Sequence, residues 1–257
     1  MGYGYNEAVK GGRIRAGKRF NDFLSAGASY TFETVDISQV APNATQALLA
    51  EQGKNDISKI GLSLKYDRRD NVFSPRHGYV FDNFIEIAGG GLGGDKDFTK
   101  GYIHFSKYFP MFKKSVFEVR LRGGMVRAFD DSNTVPLFER FFAGGASTIR
   151  GYDERTVGPI DPVTNDPLGG EAMFIANLEY TYPLGEYLKL AGFFDTGNVW
   201  ADYNDIFGTS LFSSVGVGIR VKTPLGPVSV DYGWPLDLQP GETAKEGKFH
   251  FNISRGF

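Results

Sequence analysis

The sequence has no cysteine and only three histidines, His77, His104 and His250, set far apart. Disulfide frameworks, thiolate metal sites and cysteine nucleophiles are excluded together, and a histidine-rich metal centre is not expected. No motif calls for a cofactor. Long apolar runs are also missing. Nowhere do about 18 apolar residues follow one another, so no transmembrane helix is expected. The opening MGYGYNEAVK lacks the apolar core of a secretory signal. A large excess of either charge is absent too: the 257-residue chain has a formal net charge of -2, which offers no basic field for nucleic acid. Helical periodicity is nearly absent. The one fair helix pattern, NATQALLAEQ at 43–52, lies between strand-like runs and reads as part of a loop.

Glycine (34 residues), phenylalanine (23) and tyrosine (13) are abundant, and alternation with a period of two runs through most of the chain. In VFEVRLRGGMVRAF, Phe117, Val119, Leu121 and Met125 share one face, and Glu118, Arg120, Arg122 and Gly124 share the other. In VGVGIRVK, Val215, Val217, Ile219 and Val221 oppose Gly216, Gly218, Arg220 and Lys222. SAGASYTFE and KIGLSLKY repeat the pattern. A soluble sandwich would turn the apolar faces inward, whereas a membrane barrel would turn them to lipid and line its lumen with the polar ones. The barrel is favoured. The strand candidates run to roughly 10–14 residues, the length that spans a bilayer. Their polar faces mix glycine with charges of both signs. Aromatics gather at apolar-face strand ends, as at Tyr180, Tyr182, Tyr232, Trp234 and Phe257, where an interfacial girdle would sit.

The connections alternate in length. Short turns are expected near 19–22, 73–78, 111–115, 183–187 and 223–227, and long ones near 37–54, 129–170, 201–211 and 235–246. The fold class expected is all-β, an antiparallel transmembrane β-barrel forming one domain over 1–257. Its strands fall near 2–6, 8–19, 23–36, 55–68, 78–90, 98–109, 115–128, 171–183, 187–200, 212–223, 227–235 and 247–257. That is twelve, or eleven if the first hairpin is a single strand. The last run, KFHFNISRGF, sets Phe249, Phe251, Ile253 and Phe257 on one face and stops on an aromatic. Such an ending resembles the C-terminal insertion signal of outer-membrane proteins.

One stretch fits no strand. PLFERFFAGGASTIRGYDERTVGP holds the tetrapeptide Ile149-Arg150-Gly151-Tyr152, and further on come Phe193-Phe194-Asp195-Thr196-Gly197 and the Glu179 of ANLEYTYPL. By parity Asp195 and Glu179 both point away from the apolar face, on adjacent strands. The stretch resembles the sixth extracellular loop of the Omp85 superfamily, with its [V/I]-R-G-[F/Y] hallmark. Phe193, Asp195 and Gly197 match that family's F-x-D-x-G motif. Residues 67–81 look like its periplasmic turn, and the hairpin containing 214–236 resembles its late hairpin. The resemblance implies that loop 129–170 folds into the lumen and that Arg150 is pinned to Asp195 and Glu179. An arginine fork suits two carboxylates.

The resemblance further implies an assembly or translocation barrel of the outer membrane of a Gram-negative-type bacterium or related organelle, working without a cofactor and not as an enzyme. Its partners would be membrane lipids, nascent outer-membrane proteins or secreted polypeptides, and assembly-machinery lipoproteins, with no nucleic acid. A seam between Gly2–Asn6 and Phe249–Phe257 would open to substrate or pair two copies into a dimer. The family usually has sixteen strands and preceding POTRA domains; about four strands and those domains have no counterpart here. A natural short form, a fragment and a reclosed deletion all fit that difference. The alternative function is a structural barrel or narrow passive pore without insertase activity. A Ser-His-Asp enzyme is disfavoured, since no nucleophile elbow is present.

Overall fold

A computed structural model describes residues 6–40, 44–130, 132, 134–223, 226–239 and 244–253. Eleven strands form one antiparallel sheet in sequence order: β1 Asn6–Arg19, β2 Leu24–Ser38, β3 Gly53–Asp67, β4 Gly78–Ala88, β5 Phe98–Pro110, β6 Val116–Ala128, β7 Ala172–Pro183, β8 Leu188–Trp200, β9 Phe212–Thr223, β10 Gly226–Pro235 and β11 Lys248–Ile253. A short helix, α1 Gln46–Ala50, sits in the first long connection, capped by the Thr45 hydroxyl. No helix among the described residues is long and apolar enough to cross a membrane.

Two expectations are corrected. Among the described residues the strand count is eleven rather than twelve, because residues 6–19 form one continuous strand with no hairpin at Glu7-Ala8. Glu-Ala has none of the glycine or asparagine that a two-residue hairpin turn requires. β2 is long enough to pair with the whole of β1, from Asn6 opposite Ser38 to Arg19 opposite Ser25. The expected strand at 2–6 lies outside the described residues except for Asn6, which belongs to β1. The sheet is also not closed: among the described residues no ladder joins β1 to β11, and β1 is exposed along its whole length.

The faces are those parity predicts. Ile60, Leu62, Leu64, Ile85, Ile103, Leu121, Val217 and Ile219 are exposed on the outer face. No second sheet covers them among the described residues, and an exposed apolar face opposite a polar one is the pattern of a sheet whose outer face meets hydrocarbon. At the ends bearing the long connections the polarity inverts. Along β2 the outward residues pass from Tyr30 and Phe32 to Thr34 and Asp36, while the inward ones pass from Thr31 and Glu33 to buried Val35 and Ile37. On β3, Ile57 is fully buried inside and Asp56 faces out, accepting from Thr34 Oγ1 at 2.6 Å. The inversion marks where the strands leave hydrocarbon. Outside the membrane the outer face meets water, and the apolar set turns inward to form an ordinary core.

That core is shared with loop 129–170. Val135, Leu137, Phe141, Ala143, Ile149, Tyr152 and Val157 from the loop pack against Val35, Ile37, Ile57, Phe98, Val126, Ile175 and Val199 of the strands. Beneath it lies a layer of ions. Lys59 on β3 pairs with Glu33 at 2.8 Å and with the loop's Glu139 at 2.9 Å, and Lys100 on β5 reaches Glu139 at 2.9 Å. Burial pushes the Glu139 carboxyl up, but the two lysines outweigh it and hold the group below its ordinary value. The long loop therefore lies inside the sheet's curve, as the resemblance implied.

Candidate functional site

The tip of that loop carries Ile149–Tyr152. Ile149 is fully buried in the apolar core, which anchors one side of the tip and aims the next side chain at β7–β10. Arg150 donates to Asp195 twice, from Nε at 2.8 Å and Nη2 at 2.9 Å, and its backbone N–H reaches the same carboxylate at 3.1 Å. Its Nη1 donates to Glu179 at 2.8 Å and lies 3.4 Å from Asp231. The guanidinium lies 3.5 Å from the centre of the Phe193 ring. One planar fork thus meets two carboxylates directly, touches a third, and stacks on an aromatic face, a set that a lysine ammonium cannot reproduce.

The carboxylates are held by further donors. Asp195 is fully buried and also accepts from Asn177 Nδ2 at 2.8 Å. Arg220 on β9 closes the other side, donating to Glu179 at 2.7 and 3.1 Å and to Asp231 at 2.6 Å. Arg122 on β6 donates to Asn177 at 2.7 Å and to the Ser147 carbonyl at 2.7 Å. Arg150 and Arg220 face Asp195, Glu179 and Asp231 as opposite charges, whereas Arg122 meets only neutral acceptors; losing a charged partner would leave a buried charge uncompensated.

Glycines create the space. Gly151 has φ +92°, a region that favours glycine, and its backbone lies against β10: a Cβ on Gly233 would sit 2.7 Å from Gly151 N. A Cβ on Gly216 would overlap the Phe193 ring at 2.2 Å, and one on Gly197 would lie 2.4 Å from the Phe174 carbonyl oxygen. So within the F-x-D-x-G run Phe193 stacks on the arginine, Asp195 binds it, and Gly197 permits a close approach of the β7 backbone. Tyr152 is buried, with its hydroxyl 2.9 Å from the Ser213 carbonyl and 3.0 Å from that of Asp237.

The structure brings together Ile149, Arg150, Gly151, Tyr152, Glu179, Phe193, Asp195 and Gly197. It adds three residues that sequence reasoning did not assign to the site. Asp231 and Arg220 form a cross-strand pair, of which only Arg220's polar face was read. His250 on β11 accepts from the Gly151 N–H at 2.8 Å, and Lys248 pairs with Asp153 beside it, so the tip also touches the last strand. The site does not include Phe249, Phe251 and Ile253. These face outward and are exposed, with Phe249 4.5 Å from the Tyr232 ring. Phe257 and seam residues 2–5 lie outside the described residues. The histidines are dispersed. His77 is in a turn near Asp70, His104 bonds Ser106 Oγ at 2.9 Å, and His250 serves the tip. In that turn burial raises the Asp70 carboxyl, but the N–H groups of Arg76 and His77 outweigh it and hold it below its ordinary value.

Known proteins share this arrangement of strands. The structure of BamA from Haemophilus ducreyi lacking POTRA domains 1–3 superposes with a TM-score of 0.81 at 18% identity, covering 96% of this chain and 54% of that one. CdiB from Acinetobacter baumannii gives 0.59 at 14% identity. These two show the fold alone. In sequence, the outer membrane protein assembly factor BamA of Nitratidesulfovibrio vulgaris is 32% identical over 98% of this chain and 32% of its own length. The sorting and assembly machinery component 50 homolog of Mus musculus is 29% identical over 82% of this chain and 48% of its own. The chain thus spans about a third to a half of these curated relatives. The Omp85 superfamily domain matches residues 2–257, and with the pinned Ile149–Tyr152 tip inside an outward-apolar sheet, the chain belongs to the Omp85 superfamily.

Proposed function

We propose that this chain is the membrane-embedded part of a machine that inserts or translocates polypeptides at the outer membrane. It would act by non-covalent means, with no cofactor and no enzymatic step. Family membership and the relatives' names support an assembly role. The single observation that carries the reading is the pinned tip. Arg150 is bound by β7, β8 and β10, and the adjoining Gly151 and Asp153 bond β11. The interior loop and the last strand thereby form one mechanical unit, so a change at the β11 edge is felt by the plug. Both β1 and β11 lack a second ladder among the described residues. Such edges offer unpaired N–H and C=O groups to an incoming strand. The substrates would be nascent outer-membrane proteins or secreted polypeptides. Assembly lipoproteins would be accessory partners, and pairing of two copies through the edge strands remains an outcome of the same chemistry.

Reconstitution in vesicles with a heat-modifiable β-barrel substrate tests this. The chain should accelerate substrate folding, and Arg150→Ala should lower that acceleration about tenfold or more while the variant still inserts. Equal rates with and without the chain would sink the proposal. The extent of the plug favours a second reading, a structural barrel or narrow passive pore. Planar-bilayer conductance together with no effect on substrate folding would select it.

A further inference from the structure

The rim at the short-turn end carries a row of cations laid on aromatics. On the outer face, Phe23, Tyr66, Tyr79 and Phe105 form a chain of neighbouring rings across β2–β5, with centroids 5.7–6.5 Å apart. Near the same rim Lys18 lies 5.5 Å from the Phe20 ring, Arg68 4.8 Å from Phe23, Lys107 4.9 Å from Phe109, and Lys113 5.4 Å from Phe112. Lys18 and Lys107 share the outward parity of Ile14 and Ile103. Together with Lys114 these five cations are exposed, and none has a carboxylate within salt-bridge distance among the described residues. The opposite rim is of the other sign, with Asp56, Asp95, Asp97, Asp202 and Asp237 on or beside its connections.

The turn between β5 and β6 adds an independent observation. Lys113 (φ 54°) and Lys114 (φ 66°) both occupy the left-handed region, where a two-residue hairpin strongly favours Asn-Gly. The turn therefore carries two charged side chains at a stereochemical cost. Strain kept at a surface turn is a pointer to use.

We infer that this rim binds the anionic headgroups of phospholipids in the leaflet at the short-turn end. Apolar stems and rings sit at the hydrocarbon edge, while the charged heads reach the phosphate level. The inference rests on the membrane reading of the sheet but not on any assembly activity, so the two fail separately. The occupant is lipid rather than an acidic protein because four of the five cations lie against aromatic rings at this rim, the arrangement that a membrane interface favours.

Native mass spectrometry of the full chain in detergent, titrated with dioleoylphosphatidylglycerol or dioleoylphosphatidylcholine, reads the preference directly. The chain should retain the glycerol lipid over the choline lipid. Lys113→Asn with Lys114→Gly should lower that preference roughly tenfold or more, while making the turn easier to form. Adding Lys107→Gln should lower it further, and Lys54→Gln at the opposite rim should leave it unchanged. Equal retention of both lipids by the parent chain, or an unchanged preference in the Asn-Gly variant, overturns the inference and leaves the rim as a surface for an acidic protein.

Discussion

Arg150 owes its place to what a guanidinium can do and an ammonium cannot. It meets Asp195 with two donors and Glu179 with a third while lying flat on Phe193. Arg150→Lys keeps the charge but not the fork, so it should resemble Arg150→Ala more than the parent. Both should destabilise the tip, the alanine variant by about 3–5 kcal/mol, and speed proteolysis within 142–160. Unchanged cleavage would show that the tip is held by the apolar core alone. Gly233→Ala tests the backbone contact without touching a charge. Its new methyl would meet Gly151 N at 2.7 Å, and overpacking of that kind costs about 1–3 kcal/mol, readable as a lower urea midpoint. Arg150, Asp195 and Glu179 could be read from motif and parity. Asp231 and His250 could not. They lie 81 and 99 residues from their loop partners, and polar inner faces hold many similar side chains. Only the curvature of the sheet selects which of them meet the tip.

At the scale of elements, strand existence was legible almost throughout, since a period of two is written locally in side-chain hydrophobicity. What alternation did not reveal was its inversion near the membrane boundary. Val35, Ile37 and Ile57 face inward like Glu33 and Lys59, yet they serve a water-excluding core because the loop covers them. The first strand is longer than local pattern predicts for a related reason: β2's full length, available as a partner, decides where β1 ends. The loop's second attachment can be tested by pH. The Glu139 carboxyl is depressed below its ordinary 4.5 by Lys100 and Lys59, against the effect of burial. A depressed carboxylate contributes stability that is fully present above the unfolded value. That stability is lost as pH falls through the lower folded one. Amide exchange around 137–143 should therefore be pH-insensitive above about 4.5 in opening free energy and rise below it. Glu139→Gln should show the loosened exchange at neutral pH and lose the acid dependence. An acid transition that persists in that variant would assign it to another group.

For the whole molecule, the deciding quantity is which face meets hydrocarbon. Ile219→Arg on the outer face should destabilise the vesicle-inserted chain by about 2–4 kcal/mol if it lies near the bilayer midplane. Arg15→Gln, on the exposed inner face of β1, should change it by no more than about 0.5 kcal/mol. Urea titration in vesicles distinguishes the two, and equal costs would contradict the assignment of faces. The sequence by itself determined the strand order, the apolar and polar faces, the alternation of short and long connections and the arginine–carboxylate motif, because each depends on residues a few positions apart or on residue type. The tertiary structure alone decided that, among the described residues, the sheet has eleven strands with no ladder between the first and the last. It also decided that the plug builds a soluble-like core at one end, and that its tip reaches the last strand. Those outcomes depend on register and curvature summed over the whole sheet, which no local pattern encodes.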